Sequence, residues 1–211
     1  MGNIFAIGDI HGCIDKLSEL MGKLDINSEE DTVVFLGDYI DRGPDSFKVV
    51  DYLIQFRKKN KNIVFIRGNH EDMLLNYVSK TDKVNFSANG GAQTLISYWK
   101  QKASPCAELI PKEHLDFFES SCFYYETDKY IFVHAGLKEG VTLEKQDTSD
   151  LIWIREQFIT SKYDFGKCVV FGHTPFPKVF VQPGKIGIDT GAVYGNKLTC
   201  VKLPDMNFIQ A

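Results

Sequence analysis

NIFAIGDIHGCIDKLSELMGKL, residues 3–24, begins with the short apolar run Asn3–Ile7, passes through Gly8-Asp9-Ile10-His11-Gly12, and then repeats Ile14, Leu17, Leu20, Met21 and Leu24 at helical spacing. That order predicts a strand, a polar turn, and a helix with one apolar face. The same order recurs from the strand Thr32–Leu36 to a helix beginning near Ser46, with Val50, Leu53 and Ile54 inward. It recurs again from the strand Asn62–Ile66 to a helix over about Glu71–Val78, so three consecutive βαβ-type units are expected.

The stretch from about Lys80 to Ser121 reads as helical and loop-rich. Gly90-Gly91 precedes a helix over Gln93–Lys102, and Pro111 is placed as the first residue of a helix carrying Leu115, Phe117 and Phe118. Beyond it come strand-like runs at Phe123–Glu126, Tyr130–His134, Cys168–Phe171, Lys178–Val181, Lys185–Asp189 and Lys197–Leu203, with one helix near Leu151–Phe158. The expected fold class is therefore α/β (α+β): two packed mixed β-sheets flanked by helices. It forms a single domain over residues 1–211, with a helical cap insertion at about 80–121.

Composition narrows the function classes. The 211 residues carry 24 Lys and Arg against 28 Asp and Glu, a net charge of −4, with 44% hydrophobic and 13% aromatic residues and 7 prolines. This describes a globular chain able to bury a core, not a disordered one. The one dense basic run, Arg57-Lys58-Lys59-Asn60-Lys61, falls at a helix end, where it complements the helix dipole, so no nucleic-acid partner is expected. No apolar run is long enough to span a bilayer, and no membrane partner is expected. Five scattered cysteines (Cys13, Cys106, Cys122, Cys168 and Cys200) without a CxxC pair fit a reducing compartment, so a cytoplasmic location is expected.

Nearly every predicted strand ends in a small polar cluster. Gly8-Asp9-Ile10-His11-Gly12 follows the first, Gly37-Asp38-Tyr39-Ile40-Asp41-Arg42-Gly43 the second, and Gly68-Asn69-His70-Glu71 the third; His134-Ala135-Gly136 and Gly172-His173-Thr174 follow later ones. One strand–helix–strand crossover separates Asp9 from Asp38 and another separates Asp38 from Asn69, so parallel strands deliver these groups to one sheet edge. Any one of them alone reads as a helix cap, a turn former or a satisfied histidine. Together, their mixed oxygen and imidazole donors suit manganese, iron or zinc, in a dinuclear centre with Asp38 as the bridging carboxylate.

In this order, the motifs GDIHG, GDYIDRG, RGNHE, VHAG and FGHT resemble the phosphoprotein phosphatase branch of the calcineurin-like metallophosphoesterases. Among its members they are most like the phage lambda-type bacterial serine/threonine protein phosphatases. The resemblance extends over essentially the whole chain, including Asn89-Gly90-Gly91, Ile152-Trp153-Ile154-Arg155-Glu156 and Ile188-Asp189-Thr190-Gly191-Ala192-Val193. It implies that Asp9, His11 and Asp38 bind one of two divalent ions, foremost manganese, and that Asp38, Asn69, His134 and His173 bind the other. It also implies that His70 is the general acid oriented by Asp41, that Arg42 and Arg155 hold phosphate oxygens, and that a metal-bridging hydroxide attacks phosphorus directly. The activity it implies is a serine/threonine protein phosphatase, acting on phosphoserine, phosphothreonine or also phosphotyrosine in a phosphoprotein or phosphopeptide. Two alternatives share the motifs: a symmetrical diadenosine tetraphosphate hydrolase, and a catalytically silent binding protein that kept the fold.

Overall fold

The structure is a computed structural model that describes residues 2–102, 104 and 108–211. Its first sheet orders the strands β10-β9-β1-β2-β3: β1 (Ile4–Ile7), β2 (Thr32–Phe35) and β3 (Ile63–Phe65) run parallel, with β9 (Thr199–Leu203) antiparallel to β1 and β10 (Asn207–Gln210) antiparallel to β9. The second sheet is β4-β5-β6-β8-β7. Here β5 (Tyr130–Val133), β6 (Cys168–Phe171) and β8 (Lys185–Gly187) are parallel, and β4 (Tyr124–Glu126) and β7 (Phe180–Gln182) form antiparallel edges. The predicted architecture of two mixed sheets with flanking helices is the observed one.

Alternation along the strands explains the layering. In β1 and β2, Phe5, Ile7, Val33 and Phe35 face one core, shared with helices α1 (Ile14–Lys23), α2 (Ser46–Lys59) and α3 (Asn69–Val78). Ala6 and Val34 face the other way, where they meet Phe132 of β5, Val170 of β6 and Ile186 of β8 between the sheets. Ile131, Val133, Val169 and Phe171 point outward again onto Leu151, Ile152 and Phe158 of α7 (Thr148–Trp153) and α8 (Glu156–Thr160). Successive side chains of a strand take opposite faces, so strands covered on both sides read as continuous apolar runs.

The segment at 80–121 holds α4 (Val84–Ala88), α5 (Gly91–Lys100) and α6 (Lys112–Glu119), which pack on α2 and α3 and add Phe86, Tyr98, Phe117 and Phe118 to their core. The expected third βαβ unit is reduced to almost nothing. After β3 and these helices the chain returns beside the first sheet through a single parallel bridge, Ile66 to Cys122, and then enters β4 of the second sheet. The single helix expected near Leu151–Phe158 is two helices, broken where Arg155 leaves helical geometry at φ −131° and ψ −99°. Neither α4 nor β10 was expected.

Cys13, Cys122, Cys168 and Cys200 are free thiols, and Cys106 lies outside the described residues. Among the described residues, no helix is long and apolar enough to cross a membrane.

Candidate metal centre

The carboxyl ends of the parallel strands of both sheets meet at one place. Asp9 follows β1, Asp38 follows β2, Asn69 and His70 open α3 after β3, His134 follows β5 and His173 follows β6. All six are at most 4% exposed, so their polar atoms must be matched by one another or by a ligand. Two overlapping groups bring their donor atoms within 4.8 Å of one another: His11, Asp38 and His70, and Asp38, His134 and His173. Asp38 belongs to both, the position expected of a bridging carboxylate.

The imidazoles are held so that a lone pair faces inward. His11 Nδ1 donates to the Ile40 carbonyl at 2.7 Å, and His134 Nδ1 donates to the Leu36 carbonyl at 2.7 Å. With the proton fixed on Nδ1, each Nε2 is an acceptor beside the Asp38 carboxylate, 3.4 Å away for His11, where Arg42 also donates to it, and 3.3 Å for His134. Asn69 Oδ1 lies 3.0 Å from the same His134 Nε2, and His173 Nε2 is buried without a hydrogen-bond partner. Acceptors turned on acceptors in a dry site need a cation between them, and this mixed oxygen and imidazole set suits a borderline divalent ion. The residues fit the metal that the sequence implied. Asp9 completes the ring, with the His173 backbone N–H donating to its oxygens at 3.2 and 2.9 Å.

The local backbone is bent to make this possible. His11, Asp38, Asp41, Arg42 and His173 all have φ between 46° and 70°, five of the seven non-glycine residues in the left-handed region among those described. Such conformations cost about 1–3 kcal/mol each and persist where the surrounding structure imposes them. Two glycines make room for the carboxylates: a Cβ on Gly172 would collide with Asp9 Oδ1, and one on Gly68 with Asp38 Oδ1.

Charge follows from this crowding. Burial works to raise the Asp38 pKa, but His134, His70, His11 and His173 outweigh it and hold the carboxyl well below the usual range. Burial pushes His11 down to about 3 and lowers His134 and His173 as well, which keeps these imidazoles neutral. His70 differs. Burial opposes its charged form, yet Asp38 and the hydrogen bond to Asp41 raise its pKa, and Nδ1 donates to Asp41 Oδ2 at 2.6 Å. Its Nε2, buried and unpartnered, stands 3.9 Å from Asp38 Oδ2.

Arg42 Nη1 donates to His11 Nε2 at 2.7 Å, so a guanidinium already stands over these donors. Arg155 occupies the exposed break between α7 and α8, close enough for its charge to act on His134 and His173. The structure thus brings Asp9, His11, Asp38, Asp41, Arg42, Asn69, His70, His134 and His173 together, with Arg155 at their margin.

Three further residues build the site and were not singled out in the sequence. Glu71 accepts the backbone N–H groups of Asp38, Tyr39 and Gly68 at 2.8–2.9 Å, which ties the loop after β2 to the start of α3. Burial pushes its carboxyl up, to about 8, against the three donors that favour its charged form. Thr94, on α5, donates to Asp41 Oδ1 at 2.6 Å, while its hydroxyl oxygen accepts the Asp41 N–H at 2.9 Å. Asp189 lies beside Asp9 and contributes to raising its pKa, after burial. Glu71 and Asp189 were visible within RGNHE and IDTG, but no motif marks Thr94.

The family model described as calcineurin-like phosphoesterase matches residues 2–203. A bis(5'-nucleosyl)-tetraphosphatase PrpE, designated asymmetrical, from Oceanobacillus iheyensis is 30% identical over 96% of this chain and 89% of its own length. The protein of the same name from Anoxybacillus flavithermus is 28% identical over 96% of this chain and 91% of its own. A solved structure of a candidate diadenosine tetraphosphatase superposes with a TM-score of 0.78 at 23% identity, covering 100% of this chain and 93% of that one, which is a likeness of fold.

These relatives correct the expectation of a serine/threonine protein phosphatase with a phosphoprotein or phosphopeptide substrate: matched over nearly their whole length, they are named for a dinucleoside tetraphosphatase. The reason is physical. Strand-end carboxylates and imidazoles activate water against phosphorus whatever alcohol or phosphate leaves, so motifs made of them do not encode the leaving group. Substrate choice lies in the surroundings, for which those motifs carry no signal.

Proposed function

Because this chain belongs to the calcineurin-like phosphoesterase family, we propose that it is a metal-dependent hydrolase of bis(5'-nucleosyl) tetraphosphates that cleaves them asymmetrically, to a nucleoside triphosphate and a nucleoside monophosphate. The observation that carries this reading is the match to the asymmetrical PrpE enzymes across 96% of the chain. Asp9, His11 and Asp38 would hold one divalent ion, and Asp38, Asn69, His134 and His173 the other, with manganese first among manganese, iron and zinc. When bound, the ions supply a water nucleophile ionised near neutral pH and neutralise phosphoryl charge.

The chain's own residues supply the rest. His70 keeps its Nδ1 proton on Asp41 and offers an Nε2 proton to the departing phosphate oxygen. Asp41 is itself fixed by two hydroxyls, with its N–H donating to Thr94 Oγ1 at 2.9 Å and to Ser46 Oγ at 3.2 Å. Arg42 and Arg155 offer planar paired donors to non-bridging phosphate oxygens, which a tetraphosphate chain carries in number.

The test is kcat/KM of the manganese-loaded protein for diadenosine tetraphosphate and for a phosphothreonine peptide under identical conditions. The dinucleotide is expected to win by well over tenfold, and a peptide preference of that size contradicts the reading.

Thr94 gives a narrower check. Thr94→Val removes both hydrogen bonds to Asp41 at a site 0% exposed, and the loosened acid pair is expected to lower kcat about tenfold with KM little changed. Thr94→Ser, which keeps the hydroxyl, should restore most of it. A variant that folds and turns over normally would remove Thr94 from the positioning network.

A further inference from the structure

Exposed aromatic rings present faces on which a planar base can stack, and two of them stand against site residues. Of the exposed aromatic side chains Trp99, Trp153, Tyr163 and Tyr194, the last contacts Arg42, whose guanidinium lies 5.8 Å from the ring centroid. Trp153 contacts His173, with ring centroids 5.9 Å apart at 87°. Trp153 is 41% exposed and Tyr194 63%. By contrast, Trp99 stacks under Lys102 and Tyr163 against Phe165, neither of them a residue of the centre.

The two rings end one line of contacts. From Tyr194 the line runs through Arg42 to His11, on to Asp38, and then through His134 and His173 to Trp153. The proposed substrate has the same order of chemistry, base, phosphates, base. Both rings are carried on fixed backbone. Tyr194 sits on a 3-10 turn entered through Gly191 at φ 74°, and Lys16 Nζ pins that turn by donating to the Ala192 carbonyl at 2.8 Å and to the Asn196 carbonyl. Trp153 closes α7, whose first turn is capped by Asp147 accepting the Ser149 N–H at 2.8 Å. An open cavity of about 470 Å³ runs past Trp153 and Arg155, with Ser149, Asp150 and Gln157 also lining it. That volume suits a nucleoside, and the cavity combines a ring face, a phosphate-binding cation and hydrogen-bonding groups for a base edge.

We propose that Trp153 and Tyr194 are the two nucleobase platforms, each stacking one base of a dinucleoside polyphosphate whose phosphates lie between them at the metal centre. This rests on the dinucleoside tetraphosphate reading above. Stacking a base on an aromatic side chain is sequence-tolerant and holds the nucleoside without touching the reacting phosphorus. These residues therefore determine specificity and take no part in the chemistry.

The experiment measures the ratio of kcat/KM for diadenosine tetraphosphate to that for p-nitrophenyl phosphate, which has no base, in the wild type and in Trp153→Leu and Tyr194→Leu. Each substitution is expected to lower the ratio about tenfold, and Trp153→Phe and Tyr194→Phe to recover most of it. A general loss of folding or metal would lower both rates together and leave the ratio unchanged. A wild type that prefers the dinucleotide, with the ratio unmoved in both leucine variants, overturns the platforms alone. A change in only one variant removes the other residue from the assignment. A wild type that does not hydrolyse the dinucleotide overturns the functional reading and the platforms with it.

A second readout needs no turnover. The chain has 2 tryptophans, so adenosine monophosphate should quench the Trp153 share of the emission, and Trp153→Leu should abolish the quenching while Trp99 still emits. Persistent quenching in that variant counts against the Trp153 platform.

Discussion

Asp38→Asn lowers kcat/KM for diadenosine tetraphosphate by about 1,000-fold or more and leaves less bound metal in the purified protein. Asparagine is the informative replacement because it tolerates the left-handed backbone that Asp38 adopts at φ 52°, so the loop after β2 should keep its course. What is lost is charge. Asp38 is 1% exposed and is the carboxylate that the imidazoles of His11, His134 and His70 face at 3.3–3.9 Å. An amide oxygen is a weaker, neutral donor, and it would replace the one ligand shared by both proposed ion sites. Losing the several kcal/mol of charge stabilisation that metal ions provide corresponds, at about 1.4 kcal/mol per tenfold, to a thousandfold or greater loss. Metal analysis and steady-state rates on the same preparation check this. A variant with full metal content and a rate within tenfold of wild type would remove Asp38 from the bridging role.

His70→Asn is expected to cost about 100-fold in kcat on the dinucleotide and distinctly more on a simple alkyl phosphate. General acid catalysis contributes about 100- to 10,000-fold, and the size depends on how badly the leaving group needs a proton. A terminal phosphate takes up its last proton near pH 6, whereas an alkoxide's conjugate acid resembles water with a pKa of about 16. An anhydride therefore needs less help than an alkyl ester. The structure arranges His70 for this work, with Nδ1 held by Asp41 at 2.6 Å and with Asp38 and Asp41 raising its pKa against burial. Substrates graded by leaving-group basicity supply the check. Equal losses on all of them would assign His70 to holding the site together.

Much of this was legible in the sequence because two periodicities carry it. Alternating burial in Phe5–Ile7 and Val33–Phe35, covered on both sides, produces apolar runs that mark strands, and the helical repeat from Ile14 to Leu24 marks the crossover. Once β1, β2 and β3 are parallel, their carboxyl ends must coincide, which is why sequence alone could bring Asp9, Asp38 and Asn69 together. His134 and His173 join them because β5 and β6 are parallel too and the second sheet packs on the first.

The features that were not legible depend on long-range packing. Nothing local says that Arg155 must interrupt a helix, that Asp38 and Asp41 take left-handed backbone, or that Thr94 on α5 reaches Asp41. The third crossover closes on only a single parallel bridge, Ile66 to Cys122, although β3 with α3 carries the same local signals as the first two units; beyond α3 the chain inserts α4, α5 and α6 and then enters the second sheet. Substrate was misread for a related reason: the motifs describe the metal-binding and proton-donating end of the site, which serves a phosphomonoester and a phosphoanhydride alike.

Hydrolysis of a dinucleoside tetraphosphate is the premise shared by the substrate assignment and the base platforms, its asymmetry is the finer part of the assignment, and the identity of the products tests both. Manganese-loaded protein is incubated with diadenosine tetraphosphate and the early products are separated by anion exchange. ATP and AMP are expected in equal amounts. ADP as the sole product contradicts the asymmetrical mode, and intact substrate contradicts the proposed function.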